Sequence, residues 1–103
     1  MKLTDKRLAK LDEAISIYDC MRKIDDAVII KMSRDLFAEL IAVNHHFFLL
    51  CGQIVKYSTD GLSYRYKGHI IVFASNENYV AVAYCNTMTG KLHNIREIKE
   101  DET

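Results

Sequence analysis

The chain has 103 residues, half of them hydrophobic and 27% charged, which is the makeup of one folded domain with an ordinary core and excludes a disordered segment. Fourteen basic and fourteen acidic residues cancel, so bulk charge draws the chain neither to nucleic acid nor to an anionic membrane, and weak self-repulsion permits self-association. Three cysteines outside any C-x-x-C spacing, a charged opening Met1-Lys2-Leu3-Thr4-Asp5-Lys6 and the lack of an apolar run near ~18 residues predict reduced thiols, no signal core, no spanning helix and a cytoplasmic location.

Residues 4–24 have helical periodicity. Leu8, Leu11, Ile15 and Tyr18 recur at steps of three and four, and Ala14, Ile17 and Met21 widen the stripe. Thr4 is the expected N-cap, Asp5 suits the positive end of the helix dipole, and Leu3 with Leu8 has the spacing of a hydrophobic staple. Asp19 and Lys23 are spaced for an i,i+4 pair, and Asp25-Asp26 ends the element. The stripe also has heptad spacing, so it can pair with a second copy as a homodimer. It covers fewer than three heptads, with Thr4, Arg22 and Asp25 on its register, so packing on the domain's own sheet is the first expectation.

Residues 27–32, Ala27-Val28-Ile29-Ile30-Lys31-Met32, form a β-branched run that reads as a strand. Ser33 is the expected N-cap of a second helix over 33–45 or longer, with Asp35 in its first turn and Leu36, Phe37, Leu40 and Ile41 on its buried face. Residues 46–51 either continue that helix to a stop at Gly52 or form a strand; a run this apolar carries no period that separates the two.

Residues 53–98 read as an antiparallel meander. Gln53–Ser58 alternates, Thr59-Asp60-Gly61 turns, Leu62–Ser75 is strand with a bulge or break at Gly68, Asn76-Glu77-Asn78 turns, Tyr79–Cys85 is strand, Asn86–Gly90 turns and Lys91–Ile98 is the last strand. Residues 99–103 are an acidic tail with the composition of a solvated end. The expected fold is a single α+β domain over 1–103, with two helices packed on one face of a four- to five-stranded, mainly antiparallel sheet. Its core draws on Leu8, Leu11, Ile15, Tyr18, Val28, Ile30, Leu36, Phe37, Leu40, Ile41, Phe47, Leu50, Ile54, Ile71, Phe73, Val80, Val82 and Ile98.

Reactive constellations are not legible. Adjacent His45-His46 diverge by about 100° on a helix and point to opposite faces of a strand, so they do not share a metal. Cys20 lies at the wrong end of a helix for thiolate formation, and Cys51 and Cys85 lie in apolar surroundings. Asp25, Asp26, Asp35, Asp60 and Glu77 have turn or helix-start roles. No glycine loop, nucleophile elbow or dinucleotide fingerprint occurs, so no enzyme activity, cofactor or metal is expected.

The remaining feature is Lys56-Tyr57 together with Tyr64-Arg65-Tyr66-Lys67. On a strand Tyr64 and Tyr66 share one face, and Arg65 and Lys67 share the other. Half-burial with the charges outward is the plainest reading. Tyrosine and arginine also anchor protein interfaces, which makes Tyr57, Tyr64, Arg65, Tyr66 and Lys67 interface candidates. Lys56, Arg65 and Lys67 are the alternative, an accessory nucleic-acid surface. The first expectation is a small protein-binding module, a regulator or inhibitor that occupies a partner's surface and is able to self-associate.

Overall fold

The computed structural model describes residues 2–43, 54–57 and 61–99. The first helix, α1, spans Asp5–Cys20 and starts as its cap dictates: the Thr4 hydroxyl accepts the Arg7 N–H at 3.1 Å. Leu3 is buried and Leu8 packs against the same core, so both residues of the staple are in position. The helix stops four residues short of 24. There the Arg22 guanidinium turns back onto the Asp26 carbonyl at 2.9 Å, the Asp26 N–H donates to the Lys23 carbonyl, and the chain leaves the helix to enter the sheet.

Strand β1 (Asp26–Ser33) follows, then helix α2 (Arg34–Val43). Ser33 stands at the expected cap position, but its hydroxyl accepts the Tyr79 N–H at 3.0 Å and bonds the Asp35 carboxylate, tying the helix start to a neighbouring loop. Strands β2 (Ile54–Tyr57), β3 (Gly61–Tyr66), β4 (His69–Ala74), β5 (Val80–Asn86) and β6 (Leu92–Glu97) complete the fold. The alternatives for residues 46–51, and the turn expected at 59–60, lie outside the described residues, as do the core candidates Phe47 and Leu50.

The class is α+β. The sheet has six strands in the order β2-β3-β4-β1-β5-β6. The strand beyond the expected four or five comes from the break at Gly68. Lys67 and Gly68 take φ of 52° and 85° between the partners Tyr66 and His69, which is a two-residue hairpin turn; glycine takes the second of these dihedrals without strain.

The continuous meander over 53–98 is corrected. β1 lies between β4 and β5, parallel to β4 (Ile30 opposite Ile71) and antiparallel to β5 (Ile30 opposite Val82). The reason is burial. A β-branched run is best used where strands pair both of its edges and flank its side chains, which is the middle of a sheet. Val28, Ile30 and Met32 of β1 enter the core on one face, and Ile29 is buried on the other.

One core cluster takes Leu11, Ala14 and Ile15 from α1, Leu36, Phe37 and Leu40 from α2, and Val80, Val82 and Tyr84 from β5. Ile98 closes it, held by its N–H to the Val80 carbonyl at 2.8 Å. The heptad stripe of the first helix is therefore used internally: Leu11 and Ile15 are core, and Leu8 and Tyr18 pack against it.

Candidate functional site

The tyrosines of β3 face inward. Tyr66 is 1% exposed and its hydroxyl donates to Asp12 Oδ1 at 2.7 Å, so it is core and not an interface residue. Tyr64 packs on Phe37, with ring centroids 4.8 Å apart. The basic residues are engaged locally: Lys67 Nζ pairs with Asp12 Oδ2 at 3.1 Å, and an Arg65 guanidinium nitrogen donates to the Gly68 carbonyl at 3.0 Å. Lys56 stands opposite Leu62, and Tyr57 opposite Gly61, in the β2–β3 register. The structure thus gathers Tyr66 and Lys67 around Asp12, while Tyr64 and Arg65 belong to separate contacts. His45, His46, Cys51 and Asp60 lie outside the described residues. Among those described, no three histidine, cysteine or carboxylate groups converge as metal ligands, and no helix is long and apolar enough to cross a membrane.

A different cluster forms at the C-terminal end of α1. The helix brings Ile17, Tyr18 and Met21; the following turn brings Lys23; β1 opens with Asp26; β5 and β6 contribute Tyr84, His93 and Asn94. Together they line a cavity of about 460 Å³, within the range of small-ligand and side-chain pockets. Strand register sets the arrangement, because Tyr84 stands opposite His93 and Asp26 opposite Asn86. A bulge between Val82 and Tyr84 accommodates Asn94 at φ 54°, a left-handed conformation that asparagine tolerates. The bulged Asn94 carbonyl accepts the Tyr18 hydroxyl, and the Tyr84 hydroxyl donates to the Tyr18 carbonyl at 2.7 Å, satisfying an acceptor left over at the helix end. With both hydroxyls engaged by backbone, the tyrosines meet the cavity with their rings. The Tyr18 and Tyr84 centroids are 4.7 Å apart, and the Tyr84 and His93 centroids 5.6 Å.

At the cavity wall, Asp26 is 6% exposed. Its Oδ1 lies 3.0 Å from His93 Nε2. An ionised carboxylate only accepts, so this nitrogen carries the proton and donates. Among the described residues no donor reaches the other carboxylate oxygen. Burial pushes the Tyr84 phenol above its usual range, and Tyr18, Asp26 and Asp19 push the same way against Arg22. The described lining contains no serine, threonine or cysteine.

At the mouth Ile17 and Met21 are 42% and 71% exposed beside Lys23, and Ile24, the next residue in the chain, is 91% exposed. A second cavity of about 490 Å³ beside Asp35 differs in its electrostatics, because that carboxylate is saturated. The Asn78 N–H reaches both oxygens at 3.0–3.1 Å, and Lys2 Nζ lies 3.1 Å away. Hydrogen bonding from Ser33, Asn78 and Lys2 holds Asp35 well below the usual carboxylate range.

Local pattern gives Asp26 a turn role and His93 none. The two are 67 positions apart and meet only because β5 lies between their strands, a pairing no local pattern encodes. No family model matches the chain, and no curated protein or solved structure is detectably similar to it.

Proposed function

We propose that the chain is a small non-enzymatic protein-binding module, a regulator or inhibitor that works by occupying a partner's surface. The observation that carries this is the pair Ile17 and Met21, 42% and 71% exposed on the lining of a concave, aromatic-walled cavity, with Ile24 at 91% exposure shortly after them in the chain. Single exposed apolar residues are ordinary, whereas exposed apolar side chains that line a cavity are the pattern of a docking surface. Covering a side chain as exposed as Ile24 stabilises a complex by roughly 1.5–3 kcal/mol before the costs of association, and covering the half-buried Ile17 by correspondingly less. The docking surface therefore moves from the third strand to the end of α1. Free Cys20, which is exposed, and Cys85 suit a reducing compartment, and we assign the module to the cytoplasm.

The test compares wild type with the double variant Met21→Ser, Ile24→Ser, both changes lying outside the core. Affinity capture from the source cells, read by mass spectrometry, should return proteins that the variant loses. Light scattering on the same pair separates a second copy from another protein: a dimer mass that falls to the monomer in the variant makes the partner another molecule of this chain. Equal capture and equal mass in both proteins would refute the reading.

A further inference from the structure

We propose that the cavity at the end of α1 receives a lysine or arginine side chain from a partner protein, with its cationic head on Asp26 and its stem along Tyr84 and Met21. This rests on the protein-binding reading and names the chemistry of that same site.

The argument begins with an electrostatic imbalance. Asp26 is a carboxylate with 6% exposure, and taking such a group out of water costs several kcal/mol unless it is paired and hydrogen-bonded. The described residues supply a single hydrogen bond, from His93 Nε2 to Oδ1 at 3.0 Å. The second oxygen accepts from no described group, although the side chain lines a cavity of about 460 Å³. A saturated carboxylate in this molecule looks different, as Asp35 demonstrates with its serine, backbone and lysine donors. Arg22 donates to the Asp26 main-chain carbonyl at 2.9 Å, and His93 is a cation only when protonated, so what the carboxylate lacks is a permanent cation of its own.

The walls fit one. The rings of Tyr18, Tyr84 and His93 succeed one another with centroids 4.7 and 5.6 Å apart, and aromatic faces attract ammonium and guanidinium groups. Ile17 and Met21 present hydrocarbon at the mouth, which is where the methylene stem of a long cationic side chain packs while its head reaches deeper. The chain's own Lys23 also lines the cavity, but it forms no ion pair with Asp26 among the described residues. It acts as a competing charge at the rim. An anionic or neutral apolar side chain would leave the carboxylate unpaired or bring a like charge against it.

The probes are capped tripeptides, acetyl-Leu-Xaa-Leu-amide with Xaa lysine, arginine, norleucine or glutamate, together with n-butylamine as a free cation. They are titrated into the full chain at neutral pH and ~50 mM salt, where charge pairs are not strongly screened, and binding is followed by NMR at the His93 ring and the Tyr84 amide. The lysine and arginine peptides should saturate these shifts at least about tenfold more tightly than norleucine, which matches the stem without the charge. Asp26→Asn, checked for an otherwise unchanged amide spectrum, should remove that preference. Lys23→Gln should tighten cationic peptides by about two- to threefold by deleting the rim charge. Norleucine binding as well as lysine would overturn the inference while leaving the docking reading intact, since that reading fails only if Met21→Ser, Ile24→Ser keeps its partners. Butylamine binding as tightly as the lysine peptide would overturn it in favour of a free-amine site, and absence of any saturable shift would overturn it outright.

Discussion

The two ends of α1 each bury a charged side chain against the sheet, and the difference between them separates structure from site. At the N-terminal end, Arg7 is 1% exposed. Its guanidinium donates to the carbonyls of Ile98 (3.0 Å), Lys2 (3.2 Å) and Asn78 (3.2 Å) and to Asn78 Oδ1 (2.6 Å). One side chain thus ties the N-terminal segment, the loop before β5 and the residue after β6. At the C-terminal end, Asp26 is nearly as buried but has one imidazole donor and a cavity in front of it. A buried charge surrounded by donors or acceptors holds a fold; a buried charge that lacks them beside an opening is poised for a ligand.

That contrast breaks most readily at Arg7. Arg7→Met should lower unfolding stability by about 3–5 kcal/mol, because it strands a carboxamide and several carbonyls that the guanidinium satisfied; urea denaturation measures it. A loss under ~1 kcal/mol would remove Arg7 from the role of anchor. Tyr66→Phe sharpens the comparison at mid-helix, where the hydroxyl reaches Asp12. Its cost should be about 1 kcal/mol, since Asp12 keeps Lys67 as a partner. Asp35→Asn tests the saturated carboxylate by pH. A folded-state value held below the unfolded one stabilises the protein above the ordinary carboxylate range near ~4 and ceases to do so as pH falls through the folded value. The wild-type advantage over Asp35→Asn should therefore be full at neutral pH and shrink on acidification. An advantage that stays constant down to strong acid would contradict the assignment.

Much of the fold was legible locally. Thr4 and Leu3 mark the start of α1, the stripe Leu11, Ala14 and Ile15 marks its buried face, and the apolar run of β1 and the glycine at 68 mark a strand and a turn. Arg7 carries a local signal as well: it lies one turn before Leu11 on the buried face of α1, where a cation needs acceptors around it. Strand order was not legible. That β1 separates β4 from β5 follows from competition for the middle of the sheet, and such competition is decided between segments some 40–60 residues apart. The site was illegible for the same reason. Tyr64 and Tyr66 drew attention because they alternate with basic residues, and alternation is what turns them into the core. Asp26, Tyr84 and His93 carry no shared local pattern; they meet across three strands in register.

The most direct test is the unfolding free energy of Asp26→Asn in urea beside that of Arg7→Met. The neutral amide accepts the same His93 hydrogen bond without the burial penalty of a charge, so Asp26→Asn should be as stable as wild type or more stable, even as Arg7→Met loses several kcal/mol. A loss in Asp26→Asn equal to that of Arg7→Met would show that Asp26 is already saturated in the folded chain, and would contradict a cavity built to receive a cation.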